Sequence, residues 1–227
     1  MSRIYKIAID GPSGVGKSTL AKGLAKELGF VYVDTGAIYR TVGLYAQYNE
    51  IDPHDEEGLS AHFGKIDIEL KWEDGAQHVY LCGKDVSEEI RTPKSSMYAS
   101  AVSALPKVRA FLLDMQRSIA SKTSVIMDGR DIGTVILPDA DVKIFMSADE
   151  VSRAKRRYKE LCEKGQTVSF DEVLSDMKQR DFNDSTRSAA PLKPAEDAVM
   201  FDNTELDIAQ TIEAAKKIIT EKIGNEL

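Results

Sequence analysis

Cysteine is scarce, long apolar runs are missing and basic residues are outnumbered, and each shortage argues against a class of protein. The two cysteines, Cys82 and Cys162, lie far apart without the spacing of a metal site, so two reduced thiols of a cytoplasmic protein are expected. No apolar run approaches the roughly 18 residues of a membrane-spanning helix, so no membrane partner is expected. The net charge of −7 does not favour binding to a nucleic-acid polymer.

The composition is that of a folded globular chain. Hydrophobic residues make up 42% of the 227 residues, which is enough for a sizeable core, and the length allows one large domain or a domain with insertions. The first residues lead directly into an apolar strand and leave no room for a signal peptide, so a cytoplasmic location is expected.

A glycine-rich segment near the N-terminus has the pattern of a phosphate-binding loop. Residues 7–9 predict a buried strand, and residues 11–18 then match G-x-x-x-x-G-K-S/T in full. Glycines let backbone amides turn inward around an anion, and a helix beginning at about Gly16 directs its positive end at that anion. Lys17 can reach the β- and γ-phosphates, and the Ser18 hydroxyl can bind Mg²⁺. A ligand-free turn is the alternative, but the strand before and the helical pattern after favour a nucleoside triphosphate site. The residues of this loop are Gly11, Pro12, Ser13, Gly14, Val15, Gly16, Lys17, Ser18 and Thr19.

Apolar strands alternate with helical stretches along the rest of the chain, which predicts a parallel α/β sheet. Ligands of such sheets bind at the carboxyl ends of the strands. The further buried strands are expected at residues 30–33, 124–128, 142–146 and 198–202. Helices are expected at residues 37–48, from near residue 56, over 92–121 with an interruption at Pro106, in two segments between the last two strands, and at about 204–223. Residues 147–150 and 169–172 have the pattern of capping boxes that open the two intervening helices.

One segment has a different character. Residues 65–72 alternate polar and apolar side chains, which indicates a half-buried strand. A turn signal at 73–75 and a second strand at 78–82 complete a small antiparallel meander. We therefore expect an inserted subdomain at about residues 63–91.

Charged residues follow the strand at 124–128. Asp128 ends an apolar strand as the Mg²⁺-binding aspartate of P-loop enzymes does, although strands also end in aspartate simply to form a turn. Arg130 comes directly after it, and the tip of a buried strand is a poor place for a cation without a role. Arg40 lies one turn into the helix after the second strand.

Three more arginines, Arg153, Arg156 and Arg157, are spaced to share a helix face. A solvated face paired with nearby acids is the alternative for this group. Phosphoryl transfer needs several fixed cations, because charge spreads over the oxygens of both donor and acceptor, and arginine makes planar bidentate contacts with them. Arginines from at least three segments thus predict a site for two phosphate-bearing reactants.

Four motifs together resemble the bacterial cytidylate kinases: residues 11–19, 34–40, 128–134 and 180–187. The resemblance covers essentially the whole chain. It implies a P-loop kinase three-layer fold with a five-stranded parallel sheet, a small antiparallel monophosphate-binding insert and a helical lid. Within a single domain, it implies a core at 1–36, 122–151 and 190–227, a monophosphate-binding region at 37–121 and a lid at about 152–168.

The resemblance also implies a division of labour in transfer of a phosphoryl group from ATP to CMP or dCMP. Arg40, Arg130 and Arg187 would hold the acceptor phosphate. Ser100, Arg109 and Asp131 would meet the base, although Ser100 alone indicates only helix packing. Arg180 and Asp184 would contact the sugar, and Thr35 and Tyr39 complete the CMP site.

The remaining implied roles belong to the donor and to catalysis. Ser18 and Asp128 would hold Mg²⁺, directly or through water, and Arg156 would join the ATP site. The expected catalytic residues are Lys17, Asp128, Arg130, Arg153 and Arg157. Lid closure would bring its cations onto the transferring group and exclude water, with direct in-line transfer in a monomer.

Three other functions compete with this one. A kinase of another small acceptor would need a different base site, because uracil would place a carbonyl against Asp131. A GTP-driven switch would carry an N-K-x-D guanine signature, which this sequence lacks. A nucleotide-sensing module without catalysis is hard to reconcile with so many convergent arginines.

Overall fold

A computed structural model describes residues 3–73 and 76–224 of the chain. Its strands are β1 (Lys6–Asp10), β2 (Val31–Asp34), β3 (Ile68–Glu73), β4 (Ala76–Leu81), β5 (Lys84–Asp85), β6 (Val125–Gly129), β7 (Val142–Ser147) and β8 (Val199–Asp202). Its α-helices are α1 (Lys17–Leu28), α2 (Thr35–Tyr48), α3 (Glu56–Ser60), α4 (Pro93–Ser103), α5 (Pro106–Lys122), α6 (Glu150–Glu163), α7 (Phe170–Thr186) and α8 (Ile208–Ile223). No helix in these two described ranges has the length and apolarity needed to cross a membrane.

Five parallel strands form the central sheet in the order β2-β6-β1-β7-β8. In the register, Asp34 lies opposite Asp128, and Asp10 lies opposite Gly129. The carboxyl ends of β2, β6 and β1 therefore align at one edge, where the phosphate-binding loop also begins. This arrangement confirms the predicted parallel α/β sheet.

Both faces of the central sheet are buried, as expected for a parallel sheet covered by helices. Side chains of β1 alternate between two apolar clusters: Ile7 and Ile9 pack with α1 and α8, whereas Ala8 packs on the α5 side. Helices α6 and α7 have an apolar cluster of their own, which includes Ala154 and Met177. The α6–α7 hairpin is thus a separately packed unit beside the sheet.

The predicted antiparallel insert is also present, as the sheet β3-β4-β5. Its side chains reach the end of β2: the indole Nε1 of Trp72 donates to the Tyr32 carbonyl oxygen at 2.9 Å, and the Asp34 amide donates to Gln77 Oε1 at 2.9 Å. These bonds fix the insert to the edge of the main sheet. The predicted turn at 73–75 includes Asp74 and Gly75, which lie outside the described residues.

Some boundaries differ from the sequence predictions. Residues 63–65 form a 3-10 turn, so β3 begins later than the alternating pattern indicated. Helix α8 begins at Ile208 because Asp207 and Gln210 form a capping box there, and Ile208 is therefore exposed at the first turn. The capping box predicted at 147–150 is wrong, since Asp149 caps α6 by accepting from the Ser152 amide. The box at 169–172 is confirmed.

Candidate functional site

A cleft of about 1100 Å³ opens at the carboxyl ends of β1, β2 and β6. It is lined by the loop before α1, the start of α2, helix α4, the segment after β6, and helices α6, α7 and α8. Of the site residues predicted from sequence, only Gly11, Pro12 and Arg153 do not line it. The fold therefore brings together arginines that are far apart in the chain.

The phosphate-binding loop has the backbone conformation that its glycines permit. Gly11 has φ of 151° and approaches β7 so closely that a Cβ there would lie 2.5 Å from the Met146 carbonyl oxygen. Gly16 has φ of 96° and is the N-cap of α1, so the helix begins at Lys17 with its N-terminus at the cleft. Unpaired amides at a helix N-terminus favour binding of an anion.

Lys17 is a buried cation at the floor of the cleft. Its Nζ donates to the Pro12 carbonyl oxygen at 2.7 Å. Burial, followed by the nearby charge of Arg130, lowers the pKa of Lys17 to about 7. A bound polyphosphate would favour the charged form, so the lysine is suited to respond to a negatively charged ligand.

Ser18 and Asp128 place a hydroxyl and a carboxylate side by side. Ser18 Oγ donates to Asp128 Oδ2 at 2.8 Å, and the Tyr32 hydroxyl donates to Oδ1 at 3.0 Å. Burial, reinforced by the charge of Asp34, raises the pKa of Asp128 to about 6. Within residues 3–73 and 76–224, no three His, Cys, Asp or Glu side chains are grouped to hold a metal alone. A hard oxygen pair that relies on ligand phosphates for the rest of the shell fits Mg²⁺.

The acceptor side of the cleft combines arginines with aspartates. Arg40 pairs with Asp34 at 2.8 Å, and Arg130 pairs with Asp184 at 2.8 Å. Burial acts to raise the pKa of Asp184, but Arg130 outweighs it and holds the pKa below its usual range. Each arginine is thus held in place by a carboxylate.

Two guanidinium groups on the acceptor side of the cleft have an unpaired hydrogen-bond donor. Among the described residues, the buried Nε atoms of Arg40 and Arg180 have no hydrogen-bond partner. Burial, and then repulsion from Arg130, lowers the pKa of Arg180 to about 10. A buried donor without a partner costs about 1–3 kcal/mol, which an anionic or hydroxyl-bearing ligand would relieve.

Asp131 joins two further arginines in the interior of the site. It pairs with Arg109, and it lies 3.4 Å from Arg187. Burial raises the pKa of Asp131, and the two guanidinium groups oppose that rise. Arg109 also lies over the Tyr39 ring at 5.6 Å. The geometry places one carboxylate and one guanidinium where a flat ring with donor and acceptor groups could meet both.

The three arginines of α6 do not act alike. Arg156 donates to the carbonyl oxygens of Asn203 and Thr204 at 2.7 and 3.2 Å, and Arg157 pairs with Glu160 at 2.7 Å. Arg153 is buried on another side of the helix and does not line the cleft, and it donates to the backbone carbonyl oxygens of Ala148 and Ser13. The shared face expected from their spacing therefore divides into two.

The family model described as Cytidylate kinase matches residues 7–221.

The chain belongs to the cytidylate kinase family.

Curated members of that family align over nearly the full length. The chain is 48% identical over 221 residues to the cytidylate kinase of Caldicellulosiruptor bescii, covering 97% of this chain and 98% of the relative. It is 47% identical to that of Lactobacillus gasseri, covering 98% and 96%. A crystal structure of an uncharacterized protein from Eubacterium ventriosum superposes with a TM-score of 0.52 at 15% identity, covering 96% of this chain and 99% of the other, which shows the fold alone.

Some polar residues at this cytidylate kinase-family site were not identified from the sequence. Asp10 ends β1 and accepts hydrogen bonds from the Ile132 and Gly133 amides, both at 2.8 Å. It therefore fixes the turn that follows Arg130 and Asp131. Its position at a strand end, like that of Asp128, was the available signal. Asp181 and Asn203, which contact the phosphate-binding loop, were also missed.

Asp10 makes stability depend on pH in this family member. Burial raises its pKa from 3.8 to about 6, so the folded state binds a proton more tightly than the unfolded state. The resulting stabilisation is present at low pH and is lost as the pH rises through 6. When the pH is lowered from about 7.5 to about 5, the free energy of unfolding of wild type, measured with urea, should increase by about 1 kcal/mol relative to that of Asp10→Asn.

The matched control is Asp139→Asn. Asp139 is exposed, and a hydrogen bond from Lys6 lowers its pKa. Its carboxyl group therefore does not titrate in this pH window in either the folded or the unfolded state. The difference in free energy of unfolding between Asp139→Asn and wild type should therefore be the same at both pH values. If the difference in free energy of unfolding between Asp10→Asn and wild type is also independent of pH, burial does not raise the pKa of Asp10.

Proposed function

We infer that the chain transfers the γ-phosphoryl group of ATP to CMP or dCMP, giving ADP and CDP or dCDP in pyrimidine nucleotide metabolism. The observation that carries this inference is a single cleft with a phosphate-binding loop at one end and several aspartate-held arginines at the other. Two anionic reactants can be held end to end there. Positioning and electrostatic stabilisation account for most of catalysis in such a transfer.

At the donor end, the loop from Gly11 to Thr19 holds the ATP phosphates, and Lys17 stabilises charge on the β- and γ-oxygens. Ser18 and Asp128 hold Mg²⁺, directly or through water. The ion neutralises charge on the phosphate oxygens when it is bound. Arg156, fixed to the segment before α8, contributes to the ATP site.

At the acceptor end, Arg40, Arg130 and Arg187 hold the CMP phosphate in bidentate contacts. The Asp131 carboxylate accepts from the exocyclic amine of cytosine, and Arg109 donates to its ring acceptors. The other residues of the CMP site are Thr35, Tyr39, Ser100, Arg180 and Asp184. Ser100 Oγ lies 3.5 Å from Asp184, which supports its placement near the sugar and base.

The lid is proposed to be residues 152–168, and the core and monophosphate-binding regions are proposed as the sequence indicates. Support comes from the lining of the cleft, to which this segment contributes the cations Arg156, Arg157, Lys159 and Lys164. Closure would carry Arg157 towards the transferring group and exclude water, which otherwise competes as acceptor.

We also propose a monomeric cytoplasmic enzyme. The cleft is built from residues of one chain, so a second copy is not needed to complete it. Cys82 and Cys162 are both free and exposed, as is common in a reducing compartment.

The test is steady-state kinetics with Mg-ATP and a panel of CMP, dCMP, UMP and AMP. ADP should form only when an acceptor is present, and kcat/KM for UMP should be at least about 100-fold below that for CMP, because uracil places a carbonyl where the base site accepts from the amine of cytosine. Equal use of UMP and CMP, or a preference for AMP, would point to another kinase specificity. Nucleotide hydrolysis at the same rate with and without CMP would favour the GTP-driven switch instead.

A further inference from the structure

An ion pair outside the cleft forms hydrogen bonds with both the backbone amide and the backbone carbonyl group of Ser13 in the phosphate-binding loop. The Ser13 amide donates to Asp181 Oδ1 at 2.9 Å, and the Ser13 carbonyl oxygen accepts from Arg153 Nη1 at 2.9 Å. Arg153 and Asp181 also pair with each other. Arg153 Nε in addition donates to the Ala148 carbonyl oxygen at 3.1 Å. The backbone of this loop residue is therefore held by a charge pair that joins α6 to α7.

The next residue of the loop has no room for a side chain. Gly14 has φ of 71°, and a Cβ there would lie 2.6 Å from Met177 Cε and 3.1 Å from the Arg153 carbonyl oxygen. Helices α6 and α7 thus pack directly against the loop. A shift of α7 would displace the Ser13 and Gly14 backbone, because packed interiors transmit movement.

The same helix carries the acceptor site. Asp181 lies between Arg180 and Asp184 on α7, and Arg187 follows as its C-cap. Asp184 fixes Arg130, and Arg187 reaches Asp131. One rigid helix therefore contacts the ATP loop through Asp181 and the CMP site through its neighbours.

We propose that Arg153 and Asp181 are positioning residues that couple binding in the ATP loop to binding in the CMP site through α7. The inference rests on the proposed function. A triphosphate that orders the loop also restrains Ser13, and Ser13 restrains α7 in the orientation that the acceptor groups need. The second ligand then meets a site that is already ordered, so each ligand tightens the other. Arg153 is accordingly assigned to the loop rather than to the transferring phosphoryl group.

The experiment measures the Kd of CMP by calorimetry with and without a saturating non-hydrolysable ATP analogue and Mg²⁺. In wild type the analogue should tighten CMP binding by at least about fivefold, the low end of ordinary coupling. Asp181→Asn keeps an oxygen for the Ser13 amide but turns an amide group towards Arg153. In that variant and in Arg153→Met, the ATP analogue should change the Kd of CMP by no more than about twofold.

Lys178→Gln is the matched control. Lys178 pairs with Glu150 at 3.0 Å and so also joins α7 to α6, but both side chains are exposed, and neither contacts the loop. This variant should keep the wild-type factor. A purely structural role for the Arg153–Asp181 pair would lower stability and leave the coupling factor unchanged, so retention of the factor in Asp181→Asn overturns the proposal.

Two further results keep the test decisive. If Arg153→Met does not unfold cooperatively, Arg153→Lys retains the charge and should restore part of the coupling. Wild type that binds CMP and forms ADP but shows no coupling overturns this inference alone, whereas wild type that does not bind CMP overturns the proposed function.

Discussion

A Lys17→Ala variant is expected to lose at least about 1000-fold in kcat, equivalent to about 4 kcal/mol of transition-state stabilisation, while it still unfolds cooperatively. Lys17 is the buried cation at the floor of the phosphate loop. No backbone amide can replace its charge on the γ-phosphoryl oxygens. The measurement is ADP formation under saturating Mg-ATP and CMP, with thermal unfolding followed by circular dichroism.

The fold should survive this change. Alanine is the best helix former and stands here at the first position of α1. The lost partner is a single carbonyl oxygen, that of Pro12. Lys26→Ala is the control, because Lys26 is exposed in the last turn of the same helix and does not line the cleft. Near-normal kcat in a folded Lys17→Ala protein would remove the basis for the donor assignment.

The second large effect concerns selection of the base. Asp131→Ala should reduce kcat/KM for CMP by at least about 100-fold while the KM for ATP stays within about threefold. The cause is loss of the acceptor for the cytosine amine, together with loss of the carboxylate that holds Arg109 and Arg187. Removing one member of a buried charge pair is itself costly, so this variant should also be less stable.

Asp131→Asn separates recognition from stability. The amide has nearly the same shape and can present a donor to the carbonyl of uracil, so the ratio of CMP to UMP use should fall by at least about tenfold. Asp139→Asn, which removes an exposed carboxylate, should leave that ratio unchanged. An unchanged ratio in Asp131→Asn would mean that the base is read by other groups.

Local patterns were enough to predict most of the elements. The phosphate-binding loop, the parallel strands and the antiparallel insert each depend on residues close in sequence, through turn glycines, apolar runs and alternation. The expected convergence of arginines followed from one rule about strand ends. It did not require knowledge of the strand order.

Features that depend on distant partners were not predictable in the same way. Asp181 acts on Ser13 from 168 residues away, and Asp10 acts on Ile132 from 122 residues away. An aspartate in a helix or at a strand end has many ordinary uses, so its sequence context does not reveal such a partner. Helical spacing likewise grouped Arg153 with Arg156, and only the packing of α7 on α6 separates them.

The attachment of the insert to the sheet has a practical consequence. Trp72 is the only tryptophan of the chain, and its indole bonds to the backbone of Tyr32, whose hydroxyl in turn meets Asp128. The molecule thus contains a natural fluorophore at the junction between its two sheets. Emission from that single ring can follow a rearrangement at this junction in real time, without any added dye.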